Sequence, residues 1–253
     1  MPRTVAYEIL RYSGGVFRRE EDLLVEERRV DIIVGGDRYL SVMATPRQLE
    51  HLAVGCLFSE GVIKSAADLA GLEVRGLEVL VDIKGGCPPP PARVRSSGFG
   101  LGSAPLADGG PDPAVPDGVT PPAVTAAEIV RLMADFNQQS ELFRLTGAVH
   151  SCCLVVGGRK YFADDVGRHN ALDKVIGQYL AAGPSGEPGL VLTTGRISTE
   201  ILIKSARAGL GLLVSRSAAT DRAVDLARKL NMVLIGFARD QRFNIYHGGE
   251  FLG

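Results

Sequence analysis

The chain has 253 residues, 45% of them hydrophobic and 23% charged, with a net charge of −1. That length supports a sizeable core in one or two domains, and the near-neutral balance argues against bulk neutralisation of a nucleic-acid backbone. No stretch approaches the roughly 18 to 20 uninterrupted apolar residues of a membrane span, and the first residues lack the apolar core of a signal peptide, so the expected compartment is the cytoplasm. The four cysteines, Cys56, Cys87, Cys152 and Cys153, form no C-x-x-C pair. Their spacing therefore reads neither as a zinc ribbon nor as a thioredoxin-like dithiol, and free thiols are the default.

In chain order, VDIIV and RYLSVMA flank Gly35-Gly36-Asp37 and predict a hairpin. Thr45 is expected to cap a helix with Pro46 at its first position. Leu49, Leu52, Ala53, Cys56 and Leu57 give its apolar stripe, and Gly61 closes it. Cys56 then reads as core. LEVLVDI alternates as a strand and ends at Gly85-Gly86. Residues 87–122 are rich in proline and glycine and predict a long loop, with a domain boundary near residue 122. Within it, Gly98-Phe99-Gly100-Leu101-Gly102 is a poor phosphate cradle: Ser103 stands where the third glycine of a dinucleotide fingerprint belongs, and no helix signal follows.

Beyond the loop, Thr125-Ala126-Ala127-Glu128 is a capping box before an amphipathic helix. AVHSCCLVV and KYFADD predict strands around Gly157-Gly158. Helices (HNALDKVIGQYL, STEILIKSARAG, TDRAVDLARKL) then alternate with strands (GLVLTTG, LGLLVS, MVLIGFA), and FNIY forms a final short strand. The alternation implies an α/β domain with largely parallel pairing.

In open α/β sheets, ligands bind outside the carboxyl ends of strands. Four predicted strand ends here carry arginine: Arg168 beside His169, Arg196 after Thr194-Gly195, Arg216 after Ser215, and Arg239 with Arg242. Arginine forks and helix N-termini both suit phosphate, so the edge predicts a phosphate-bearing ligand, most simply a nucleotide. His169 could donate to phosphate or move a proton, whereas His150, inside a strand, is equally well structural. Cys152 and Cys153 should point to opposite sheet faces and cannot jointly hold a metal.

Several long blocks resemble the formate dehydrogenase accessory sulfurtransferases, the FdhD/NarQ family. They are DDVGRHNALDKVIG, TTGRISTEILIKSARAG, LVSRSAATDRAVDLARKL and GFARDQRFNIY, with TGAVHSCCL and FSEGVIKSAADL besides. The resemblance implies a two-domain α/β protein, residues 1–122 and 123–253, whose second domain is a three-layer unit similar to cytidine deaminases. That likeness is of fold alone. A zinc deaminase needs H-x-E with P-C-x-x-C, and His150-Ser151-Cys152 with no P-C-x-x-C implies no zinc.

The resemblance further implies a cytoplasmic homodimer that passes sulfur from a cysteine desulfurase to the molybdenum bis(molybdopterin guanine dinucleotide) cofactor for a formate dehydrogenase. GDP would be a partial mimic of that ligand. The family's cofactor-binding segment falls on Phe237, Ala238, Arg239, Asp240, Gln241 and Arg242. One departure stands out: where the family has C-G-x-C-G, this chain has Phe99 and Gly102 in place of the two cysteines. Neither can hold sulfane sulfur. Cys87, on the same loop, is the substitute that a sulfurtransferase reading requires. The alternative is a disarmed binding protein or chaperone for the cofactor.

Overall fold

The computed structural model describes residues 4–86, the backbone of residues 94 and 95, and residues 118–253. The chain opens with β1 (Thr4–Ser13) and β2 (Val16–Val25), an antiparallel two-stranded ribbon closed at Gly14-Gly15. The sequence reading assigns nothing before Val30. The reason is visible in the ribbon: its apolar residues do not alternate onto one face, and Tyr7, Leu10, Tyr12 and Phe17 are all exposed.

Next come β3 (Arg28–Val34) and β4 (Asp37–Ala44), the expected hairpin. Its two-residue turn, Gly35-Gly36, has φ of 61° and 93°. A type I′ connection needs positive φ at both positions, which glycine adopts without steric cost. Helix α1 spans Leu49–Ser59, and β5 (Leu69–Arg75), β6 (Glu78–Ile83) and the short β7 (Val94–Arg95) complete a five-stranded sheet in the order β5-β6-β3-β4-β7.

Thr45 does not cap α1. The N-cap is Gln48, in left-handed conformation, because Thr45 is engaged elsewhere. Its N–H donates to Asp165 Oδ2 at 3.1 Å, its hydroxyl accepts from Val166 N at 3.3 Å, and its carbonyl accepts from Lys174 at 2.9 Å. A side chain spent on these tertiary bonds is unavailable to a helix end.

The second half contains α2 (Ala126–Gln139), α3 (Glu141–Thr146), β8 (His150–Val156), β9 (Arg159–Asp165), α4 (Arg168–Ala181) and β10 (Gly189–Thr193). It continues with α5 (Thr199–Arg207), β11 (Leu210–Ser215), α6 (Asp221–Leu230), β12 (Val233–Arg239) and β13 (Arg242–His247). The capping box forms as expected, with Thr125 and Glu128 bonding reciprocally. The sheet runs β13-β12-β11-β10-β8-β9. Only β10, β11 and β12 are mutually parallel; β8, β9 and β13 join antiparallel, so the expected largely parallel pairing is corrected to a mixed sheet. Both hairpins have connections too short for the crossover that parallel pairing requires.

This sheet is covered on both faces. One apolar cluster joins Leu154, Val191, Leu213 and Leu234 to α4, α5 and α6; a second joins Cys153, Leu192, Val214 and Ile235 to Ile129, Met133 and Phe136 of α2. The first cluster also contains Val30, Ile32, Val42 and Val79, so the two sheets share one core across α1 and α4.

The two helices meet without side chains between them. A Cβ on Gly55 would lie 1.9 Å from the carbonyl oxygen of Asp173, and one on Gly177 would lie 2.0 Å from that of His51. Beside the crossing, two buried ion pairs are fully furnished. Asp165 accepts from Lys174 at 2.6 Å, Asn170 at 2.9 Å and the Gly167 N–H at 2.8 Å, besides Thr45. Asp173 accepts from Lys204 at 2.5 Å, Ser59 at 2.7 Å and the Cys56 thiol at 3.3 Å. Buried charges persist only when so matched.

Gly55→Ala is expected to cost at least about 2–3 kcal/mol, because the new methyl meets backbone that cannot rotate away. Urea unfolding checks this; a loss below about 1 kcal/mol would show that the helices part easily.

Candidate functional site

The carboxyl ends of β10, β11 and β12 and the amino end of β8 meet along one edge. There the loops are stitched together by hydroxyls and backbone. Ser151 N donates to Thr194 Oγ1 at 3.0 Å, and Thr194 N to Ser151 O at 3.1 Å. Buried Ser215 donates to Gly195 O at 2.6 Å and accepts from Ser217 N at 2.9 Å, while Ser217 donates to Thr194 O at 3.0 Å. Phe237 N bonds Ser217 O at 3.0 Å, and Arg239 Nε bonds Arg216 O at 3.0 Å. Serine and threonine at strand ends are well suited to this, since a short hydroxyl can satisfy backbone groups that the ladder has released.

The loops frame a cavity of about 440 Å³. Its polar side is His150, Thr194, Arg216, Ser217 and Arg239, and its apolar side Phe143, Gly147, Ala148, Val149 and Val166. Among the described residues, no carboxylate lines it.

Next to the cavity the helix α4 begins. Gly195 is the residue that lets Arg168 lie across the end of β10, since a Cβ there would sit 2.8 Å from the Cβ of Arg168. Burial pushes the half-buried Arg168 guanidinium below its usual pKa, and the positive charge of exposed Arg196 adds to this. His150 is likewise held below the ordinary histidine value, chiefly by burial and then by Arg168 and Arg196. His169, 5% exposed, is lowered by burial as well. Its Nε2 lies 3.1 Å from Glu200 Oε2, but the approach is not aligned for a hydrogen bond, and neither ring nitrogen has one. Arg168 Nε and Ser198 Oγ are also buried without partners. Helices α4 and α5 both start without a side-chain cap. Cations pushed toward neutrality beside open helix N-termini form an anion-receptive edge.

The residues expected from sequence are thus partly gathered. Thr194, Arg216 and Arg239 line the cavity; Gly195, Arg168, His169 and Arg196 adjoin it; Ser215 is bracing beneath it. In the 237–242 segment, Phe237 is exposed with φ of 52°, at a bulge in β12, and the Ala238 side chain is turned into the core at 2% exposure. Asp240, Gln241 and Arg242 form the exposed β12–β13 turn outside the cavity lining. Sequence reasoning passed over Phe143 and Val166 and gave Ser217, in the Ser215-Arg216 loop, no role of its own. Only Ser217 carried a signal, standing one residue from Arg216 at a strand end.

The thiols are elsewhere. Cys152 and Cys153, each 1% exposed, belong to the clusters on opposite sheet faces, as expected. Burial pushes them up to about 12 and about 11. Cys56 is pushed well up by burial and by Asp173. Phe99, Gly102 and Cys87 lie outside the described residues. Among the described residues, no group of three or more His, Cys, Asp or Glu is placed to hold a metal, and no helix is long and apolar enough to cross a membrane.

Fold and edge together define an α/β protein with a cationic cavity at its strand ends. Comparison with known proteins narrows this: the sequence model of the FdhD/NarQ family matches residues 25–252, and the chain belongs to that family. It is 31% identical to the sulfur carrier protein FdhD of Listeria monocytogenes over 96% of each chain. It is 33% identical to that of Geobacillus kaustophilus, over 94% of this chain and 93% of the other. A crystal structure of a formate dehydrogenase accessory protein described as putative, from Desulfotalea psychrophila, superposes with a TM-score of 0.80 at 24% identity, over 99% of this chain and 100% of the other, and shares the fold.

Histidine burial has a pH signature. A histidine whose folded pKa is depressed binds fewer protons folded than unfolded, so stability is present above the unfolded value of about 6.5 and falls as pH drops below it. The urea midpoint is expected to fall between about pH 7.5 and 5.5, by up to about 1.4 kcal/mol per pH unit for each such histidine, and His169→Gln should flatten that slope. An unchanged slope in the variant would show that His169 protonates freely in the fold.

Proposed function

We propose that this chain binds the guanine dinucleotide form of the molybdenum cofactor during maturation of a formate dehydrogenase. The observation that carries this reading is the cavity lined by Arg216, Arg239, Thr194 and His150 and, among the described residues, by no carboxylate. Beside it stand exposed Arg196, Arg168, whose buried Nε lacks a hydrogen-bond partner, and His169, whose buried ring nitrogens make no hydrogen bond although Nε2 lies 3.1 Å from Glu200 Oε2. Phosphate or pyrophosphate oxygens would satisfy these donors, and the relatives' names supply the context: sulfur carrier protein, formate dehydrogenase accessory protein. Within that context a cysteine desulfurase stands upstream, a formate dehydrogenase downstream, and a homodimer is the working form.

The chain's own part is binding and orientation. Arg216 and Arg239, linked through the Arg216 carbonyl, hold phosphate oxygens; neutral His150 and the Thr194 hydroxyl can donate without adding a fixed charge. Sulfur relay is a separate matter, because it requires an accessible thiolate. Three of the four cysteines are buried with raised pKa, which leaves Cys87 as the one thiol on which relay by this chain would depend. Without it, the chain is a cofactor carrier.

Calorimetry with GDP tests the binding reading. Arg239→Ala and Arg216→Ala should each weaken binding by about 1.5–3 kcal/mol, the range for a hydrogen bond to a charged group. No GDP binding by the unmodified chain would overturn the reading. Relay is tested by incubation with a cysteine desulfurase and cysteine, followed by intact mass. One added sulfur atom that disappears in Cys87→Ser establishes relay; no adduct on the unmodified chain leaves the carrier role.

A further inference from the structure

The nucleotide reading accounts for the polar side of the cavity and leaves the apolar side unexplained. Inorganic phosphate would need only Arg216, Arg239, Thr194 and His150; it has no use for Phe143, Val149 and Val166, which line the same cavity. At about 440 Å³ the cavity also falls within the roughly 300–1,000 Å³ typical of small-molecule sites. The lining therefore fits a ligand with an anionic end and a flat, uncharged body.

Phe143 is the residue suited to the flat body. It sits on α3, a single short helix with one anchor, Leu142, at 1% exposure. The helix is pinned at both ends. Ser140 accepts from Phe143 N at 2.9 Å and donates to Asp164 Oδ2 at 2.9 Å, and the other oxygen of Asp164 accepts from Ser151 at 2.6 Å. At the far end Gly147 N bonds Phe143 O at 2.7 Å, and the Thr146 hydroxyl bonds Leu142 O at 2.8 Å. This network couples α3 to the same β8 residue that holds Thr194. Yet Phe143 remains 42% exposed. A locked backbone that presents a large aromatic side chain to a cavity bordered by arginines has the chemistry of a base-stacking wall: every purine has a π face, and aromatic rings offer stacking at little cost in conformational entropy.

We propose that Phe143 is a specificity-determining residue that stacks on the base of a bound purine nucleotide, while Arg216 and Arg239 hold its phosphates. This rests on the nucleotide reading given above, and the experiment separates the two. Equilibrium binding of GDP and of pyrophosphate is measured on the unmodified chain, Phe143→Ala and Phe143→Tyr, with thermal unfolding as the control for folding. Phe143→Ala is expected to weaken GDP about tenfold or more while pyrophosphate changes less than about twofold, and Phe143→Tyr to restore GDP binding. Equal binding of GDP by the unmodified chain and Phe143→Ala would overturn the proposal and spare the nucleotide reading. Equal weakening of both ligands would also overturn it, by showing that Phe143 acts through the fold of α3. Failure of the unmodified chain to bind GDP would overturn both.

Discussion

The crossing of α1 and α4 is the contact on which the rest of the molecule depends. Gly55 and Gly177 bring backbone against backbone, and no larger residue could occupy either position without moving one helix off the other. Close approach places Asp173 within reach of Cys56 and Ser59 on α1 as well as Lys204 on α5, so three helices converge on one buried carboxylate. Asp165 performs the same task at the start of α4, tying β9 to Thr45 through its carboxylate and, through Asn170, to the Met43 carbonyl. Such pairs say little about net stability, but removing one partner would strand a buried charge. Their effect is to set the position of α4, and α4 carries Arg168 and His169.

From that anchored helix the site follows by electrostatics. Burial holds His150, Arg168 and His169 below their ordinary pKa values, and neighbouring positive charge, from Arg196 on Arg168 and His150 and from Arg168 on both histidines, adds to the effect. Holding the half-buried Arg168 guanidinium beside the charge of Arg196 is unfavourable by itself, and an anion would relieve it. The serine and threonine bonds among the strand-end loops keep the donors in place before a ligand arrives, which reduces the ordering that binding would otherwise require.

The same burial that makes Cys56, Cys152 and Cys153 good core residues removes them from thiolate chemistry. A thiol deep in an apolar cluster resists ionisation because its charged form has no solvation. None of the three thiols in the described core is therefore suited to carry sulfur.

Local chemistry was legible from residues alone. The Gly35-Gly36 hairpin, the Thr125–Glu128 capping box and the alternation of strands and helices after residue 150 all formed as read, because each depends on neighbours in sequence. So did the opposite facing of Cys152 and Cys153, since a strand's period of two decides it. Long-range competition decided the remainder. Thr45 gave up its expected cap to bonds with residues 120 positions away, the ribbon of β1 and β2 lacks the one-sided alternation that announces a strand, and the antiparallel edges of the second sheet depend on short hairpin connections. The arginines could be counted at strand ends in the sequence. Which of them face one cavity, that Ala238 turns to the core, and that Phe143 lines the same cavity as Arg239 were decided by packing, because a side chain's direction depends on what the rest of the chain places beside it.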